Sequence, residues 1–230
     1  MSFSKAMLIA LVTLAVACGP AEKAAEVTLQ EDIVKAAPDR ARLLLENEQI
    51  AATLVTLPAQ SELPMHRGGD RVVYSLTDYK LQFRAQEGEP TVRNFRQGEA
   101  HWHPAGAHAI RNVGATKAEY LVVTRKSSNP TVGVTSNLAE LKPDQARVVF
   151  ENQDAKVIEI SLKAGEVQPM HKGAARLIYS LTPMKVKFAS ASETSESAYS
   201  AGEAHYHLGG DHRVANLSKE PARYLVFELM

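Results

Sequence analysis

Beyond residue 50 the chain alternates between apolar and polar positions. Ile158, Ile160 and Leu162 are separated by Glu159 and Ser161, and Met184, Val186 and Phe188 by Lys185 and Lys187. A period of two puts the apolar side chains on one face of an extended strand, so these segments predict half-buried strands. No stretch after residue 50 sustains a helical period. Glu31 to Glu48 has room for a short helix ahead of the first strand.

The strand-forming part is one unit written twice. Pro38-Asp39-Arg40-Ala41-Arg42 returns as Pro143-Asp144-Gln145-Ala146-Arg147, and Pro64-Met65-His66 as Pro169-Met170-His171. Tyr74-Ser75-Leu76-Thr77 matches Tyr179-Ser180-Leu181-Thr182, and the units close on Tyr120-Leu121-Val122 and Tyr224-Leu225-Val226. The offset of about 105 residues is too long for a solenoid and suits a small domain. The fold class this predicts is all-β, as two tandem antiparallel barrels or sandwiches over residues 38–123 and 143–230. Residues 124–142, with the run Lys-Ser-Ser-Asn-Pro-Thr-Val-Gly, form the linker.

The N-terminus has a different character. Lys5 precedes an uncharged, mostly apolar run from Ala6 to Ala17, too short for a comfortable bilayer span and right for an export signal over residues 1–17. Leu14-Ala15-Val16-Ala17-Cys18-Gly19 resembles a bacterial lipobox, with Ala15 where leucine is usual. Cys18, the chain's one cysteine, is then the lipidation site of a lipoprotein in the periplasm or on the outer membrane. Ala15-Val16-Ala17 also satisfies the small-x-small rule of ordinary secretion. Residues 18–37 read as a tether to the membrane partner.

Composition narrows the chemistry. The 230 residues carry zero formal net charge, which removes the global basic field that nucleic acid requires. One cysteine excludes an internal disulfide framework and any cysteine-rich metal site. No nucleophile elbow or cysteine nucleophile is present.

The histidines repeat completely: His66, His101, His103 and His108 in the first unit, His171, His205, His207 and His212 in the second, and none elsewhere. Imidazole is the commonest transition-metal ligand and binds well when several copies converge. On a strand, His101 and His103 share a face and Trp102 takes the other. His66 heads a mostly apolar alternation through Gly68, Asp70, Val72, Tyr74 and Leu76, which points it inward. These spacings predict a histidine cluster inside each barrel. In the opposite register the histidines face solvent while Trp102 and Tyr206 enter the core. Met65 and Met170 adjoin histidines, but neighbouring strand residues face opposite ways and chelate poorly. Glu99 and Glu203 follow glycines and fit turn chemistry. Arg71 and Arg176 match each other, as exposed strand residues or as anion-binding groups.

Gly98, Pro104, Ala105, Gly106, Ala107, His108 and Asn112 resemble the second motif of the cupin superfamily, one residue short between glycine and histidine. Gly202 to Asn216 resembles it with Leu208 in place of proline, and Pro64-Met65-His66 with the run that follows resembles the first motif. The resemblance covers both units and implies a bicupin of two jelly-roll barrels. It implies a metal or ligand in each barrel mouth, near His66 and His108 and near His171 and His212. Metal-binding cupins usually carry His-x-His and then Glu in the first motif. Here Gly68 and Gly173 stand at the second histidine position, and the Glu position falls in the apolar run after Arg71 or Arg176. Asp70 offers a carboxylate, but its counterpart is Ala175. Inward-facing His101 and His103, or His205 and His207, would restore three or four nitrogens for a divalent Fe, Zn, Mn, Ni or Cu ion.

Three functions fit: an exported bicupin binding a divalent metal and/or a small-molecule ligand; a non-haem metal enzyme, a dioxygenase or isomerase, on a small organic acid or sugar; and a metal-free binding or scaffold lipoprotein. The halves pack on each other as a pseudo-dimer or pair across chains in a homo-oligomer.

Overall fold

The structure, a computed structural model, describes residues 32–126 and 136–230. The export segment, Cys18, most of the tether and the middle of the linker lie outside the described residues.

A four-residue helix, α1 (Ile33–Ala36), leads into nine strands: β1 (Ala41–Glu46), β2 (Ile50–Leu57), β3 (Glu62–Gly68), β4 (Arg71–Ser75), β5 (Tyr79–Ala85), β6 (Thr91–Phe95), β7 (Ala100–His103), β8 (Gly106–Asn112) and β9 (Ala118–Arg125). The second repeat follows the same plan. Helix α2 (Leu138–Leu141) precedes β10 (Ala146–Glu151), β11 (Ala155–Leu162), β12 (His171–Gly173), β13 (Arg176–Ser180), β14 (Met184–Ser190), β15 (Thr194–Tyr199), β16 (Ala204–His207), β17 (Gly210–Asn216) and β18 (Ala222–Leu229). Each repeat makes a five-stranded and a four-stranded antiparallel sheet, in the orders β1-β2-β9-β4-β7 with β3-β8-β5-β6, and β10-β11-β18-β13-β16 with β12-β17-β14-β15. The chain is two tandem antiparallel jelly-roll barrels.

Each barrel has its own core. Val55, Leu57, Leu81 and Tyr120 fill the first, and Ile158, Ile160, Leu162 and Tyr224 the second. A third cluster lies between them. Val72, Tyr74, Leu121 and Val123 point out of the first five-stranded sheet and pack against Val157, Leu177, Leu225 and Phe227 from the second. The barrels therefore share a core, and β4 and β13 are buried along their whole length. A strand buried on both faces can be apolar at successive positions, as at Val72-Val73-Tyr74 and Leu177-Ile178-Tyr179. At the rim of this junction Arg125 donates to Asp70 and, across the two units, to Asp154 and the Met230 carbonyl.

Three expectations are corrected. The pre-strand helix is only α1, and the rest of Glu31–Glu48 holds β1, because Leu43 and its neighbours pair with β2. The end of the stretch read as a tether is part of the barrel, since Ile33 and Val34 pack on the first core. The run from His66 to Leu76 is not one strand. Gly69 and Asp70 carry the chain from the four-stranded to the five-stranded sheet, which resets the alternation. Val72 and Tyr74 thus enter the shared core, while Arg71 joins His66 inside the barrel.

The asparagine that closes the cupin-like motif secures one barrel end. Asn112 is fully buried; its Nδ2 donates to the carbonyls of Leu57, Pro58 and Thr116, and its Oδ1 accepts from Gly114 N. Asn216 repeats the pattern with Leu162, Lys163, Glu220 and Ser218. Asn112→Ala strands several buried backbone groups, so a loss of about 2–3 kcal/mol is expected in urea denaturation. A change below about 0.5 kcal/mol would show that water replaces the amide without cost.

Candidate functional site

The histidines do converge inside the barrels. His66 on β3 stands directly opposite His108 on β8, with ring centroids 4.8 Å apart. His101 and His103 descend from β7 on the facing sheet, and the His103 ring lies 4.9 Å from that of His108. In the second barrel His171 pairs with His212 at 4.2 Å, and His205 and His207 face them across the cavity wall. Both registers proposed for Trp102 are partly right. The histidines point into the barrel, and Trp102 and Tyr206 point into a core, the one shared by the two units.

The residue at the centre of each cluster is arginine. Arg71 and Arg176 are each only 5% exposed, which corrects the reading of them as exposed strand residues. Arg71 Nη1 donates to the Gly69 carbonyl at 2.7 Å, and its Nη2 lies 3.4 Å from His108 Nε2. Arg176 Nη1 donates to the Ala174 and Leu208 carbonyls, and its Nη2 to His212 Nε2 at 2.8 Å. Guanidinium nitrogens only donate, so these two imidazoles present a bare Nε2 and carry their proton on Nδ1. His212 Nδ1 accordingly donates to the Gly210 carbonyl at 3.0 Å. His66 and His171 do the same to Pro64 and Pro169, which leaves their Nε2 atoms as free acceptors.

Burial, reinforced by the nearby guanidinium, holds the histidines neutral. The His108 and His212 pKa values fall to about 3, and burial with the neighbouring imidazole takes His101 to about 4 and His205 to about 3. Burial also lowers the Arg71 pKa to about 10, so it stays charged at neutral pH. Among the described residues no carboxylate comes within ion-pair distance of either guanidinium. Asp70 is engaged elsewhere: the Ala105 N–H and Arg125 bind it and hold its carboxyl below the usual range. Glu99 and Glu203 likewise cap their own turns through the amides of Arg96 and Ser200.

A metal does not fit these residues as they stand. A Cβ on Gly68 would collide with the Arg71 guanidinium, and one on Gly173 would come within 2.6 Å of the His212 ring and 2.8 Å of Arg176. The arginine, joined in the second barrel by His212, thus occupies the space beside the second histidine position of the first motif. Among the described residues no three His, Cys, Asp or Glu side chains converge as a metal set. In the second barrel, Arg176 and the Gly210 carbonyl already engage both nitrogens of His212.

The remaining walls are mostly aromatic and aliphatic, with Asp32, Glu46, Thr124 and Lys126 also bordering the first cavity and Gln168, Ser195 and Ser197 the second. The first cavity, about 170 Å³, includes Phe83, Phe95, Tyr79 and Tyr120. The second, about 70 Å³, includes Phe188, Tyr199 and Tyr224. Sequence reasoning passed over Tyr120 and Tyr224 except as repeat markers, although two matched tyrosines at inward positions are a signal of a lined cavity. It also missed Gln168 and Glu228, which have no counterpart in the first unit.

The fold and site together define a two-barrel, cupin-fold protein with an arginine–histidine pocket in each barrel. Among solved structures, the chain is similar to AerE from Microcystis aeruginosa, with a TM-score of 0.60, 13% identity, and coverage of 83% of this chain and 97% of that one. It is similar to a mutant of oxalate decarboxylase OxdC of Bacillus subtilis, at a TM-score of 0.60 and 13% identity over 86% of this chain and 72% of that one. At such identity the likeness establishes the fold alone. No known protein-family profile matches the sequence, and no curated protein does.

Proposed function

We propose that the protein is an exported binding protein that seats a small organic anion inside the barrel, on the buried arginine. One observation carries the reading: a charged guanidinium, buried in an aromatic pocket, has no carboxylate partner among the described residues. An unpaired buried charge costs several kcal/mol, and an anionic ligand offsets that cost. The bare Nε2 atoms of His66 and His171 would accept from a hydroxyl or a protonated acid group of that ligand. Apolar walls would hold its carbon skeleton. The signal-like run over residues 1–17, followed by Cys18, supports a lipid-anchored protein acting outside the cytoplasm.

The test is calorimetry with butyrate and succinate on the mature chain, purified without a histidine tag, with elemental analysis of the same sample. The double variant Arg71→Gln/Arg176→Gln should bind these acids about a hundredfold more weakly. Arg71→Lys/Arg176→Lys, which keeps the charge but not the fork, should fall between. Unchanged affinity in the double variant overturns the reading. So does stoichiometric metal in the wild type that is lost from His66→Ala/His108→Ala, which would restore the metal-dependent alternative.

A further inference from the structure

The two barrels repeat the same pocket, yet they differ at several inward positions, those of Gln168, Glu228 and Arg93 among them. In the second barrel the buried Tyr224 hydroxyl donates to Gln168 Oε1 at 3.3 Å. The first barrel has Leu63 at the position of Gln168, and the Tyr120 hydroxyl, on a side chain 3% exposed, has no partner among the described residues. Burial pushes the Tyr120 pKa far up, so this group is a donor left free beside the cavity.

The second difference is a charge. Glu228, 1% exposed, accepts from Ser136 N and Ala174 N on the side of the barrel where Arg176 lies. Its carboxylate is the internal counter-charge of Arg176, although the two do not touch. The first barrel has Thr124 at that position, and Thr124 lines the cavity.

The third difference lies at the rim. Arg93 on β6 pairs in register with Leu81 of β5, and directly opposed residues share a face, so Arg93 is on the barrel's inner side. It borders a groove of about 380 Å³ that reaches His101, His103 and His108, with Glu89 at the same groove. Ser197 stands at the matching position in the second barrel. β6 lies two strands from β8, a separation of about 10 Å across the sheet. The first barrel therefore has Arg71 at its centre and Arg93 at this edge, with imidazoles between; Arg67 and Lys126 also border the cavity, Lys126 paired with Glu46.

Resting on the anion-binding reading, we infer that ligand binding belongs to the first barrel, that its ligand carries two separate acidic groups, of the small dicarboxylate class, and that the second barrel is closed by its own side chains. One acid group sits on Arg71 and the Tyr120 hydroxyl; the other reaches Arg93. The second barrel has Gln168 on its tyrosine hydroxyl, no cation matching Arg93, and less than half the space, about 70 Å³ against about 170 Å³.

Calorimetry distinguishes this inference from the reading beneath it. The wild type should bind one succinate per chain, about fivefold more tightly than butyrate. Arg93→Ser, which copies the second barrel at an exposed position, should bring succinate to the butyrate level. Arg71→Gln alone should remove binding; if it does not fold, Tyr120→Phe should weaken both acids about fivefold. Gln168→Leu/Glu228→Thr/Ser197→Arg, which copies the first barrel into the second, should raise the stoichiometry to two. Two equivalents bound by the wild type, or an unchanged succinate-to-butyrate ratio in Arg93→Ser, overturns the inference. Binding that survives Arg71→Gln but not the double arginine variant leaves the anion-binding reading intact and overturns the assignment to the first barrel. No binding of either acid by the wild type removes both.

Discussion

Lowering the pH from 7 to 4.5 should cost the protein roughly 3–5 kcal/mol of stability, through His108 and His212 alone. Both are nearly fully buried, and both are held neutral down to about pH 3, by burial first and then by the adjacent guanidinium. Unfolded, they take up a proton at the ordinary value of about 6.5. Below that pH the unfolded chain binds more protons than the folded one. Their contribution is therefore whole above about 6.5 and drains away toward 3. The slope is about 1.4 kcal/mol per pH unit for each such group. His66, His101, His103, His171, His205 and His207 shift the same way and add to it. Glu228 works in the opposite sense. Burial raises its pKa, so its contribution is whole below the ordinary carboxylate value and lost as pH rises through the folded one. Urea midpoints between pH 7.5 and 4.5 check the prediction, and His108→Gln should flatten the curve. Equal stability at pH 7 and pH 5 would mean that the imidazoles protonate in place.

Phe227→Ala should cost about 3–5 kcal/mol, and the loss should be visible from the other barrel. Phe227 is 1% exposed in the shared core, its ring near-perpendicular to that of Tyr74 of the first unit with centroids 6.5 Å apart. Trp102, the only tryptophan, borders the same core from the first barrel. Its fluorescence therefore reports across the junction. Wild type should unfold in one transition by fluorescence and by far-UV circular dichroism. In Phe227→Ala the tryptophan signal should shift to lower denaturant although the substitution lies in the second repeat. A tryptophan transition that stays at the wild-type midpoint would show that the barrels unfold independently.

The repeat, the strands and the inward histidines were legible because each rests on short-range pattern. Period two, the Gly98 and Gly202 turns at positive φ, and the Pro104-Ala105-Gly106 reversal all act within a few residues. The break at Gly69–Asp70 was not legible, because Gly68, Asp70, Val72 and Tyr74 keep an unbroken alternation across a change of sheet. The burial of Arg71 was hidden for the same reason: its inward direction depends on where the new strand begins. One local hint existed. Glycine at both Gly68 and Gly173 leaves a space that only a long neighbour fills. The shared core lay beyond reach, since an outward apolar face looks the same in sequence whether it meets solvent, a partner or a second copy of its own repeat.

That junction has an evolutionary corollary. The mutual contacts of β1 with β16 and of β10 with β7 are those of a two-fold pair, here made within one polypeptide. A dimer of identical chains must alter both halves whenever it alters one. Duplicates joined head to tail escape that rule: one copy can let its pocket fill and persist as half of the other's foundation.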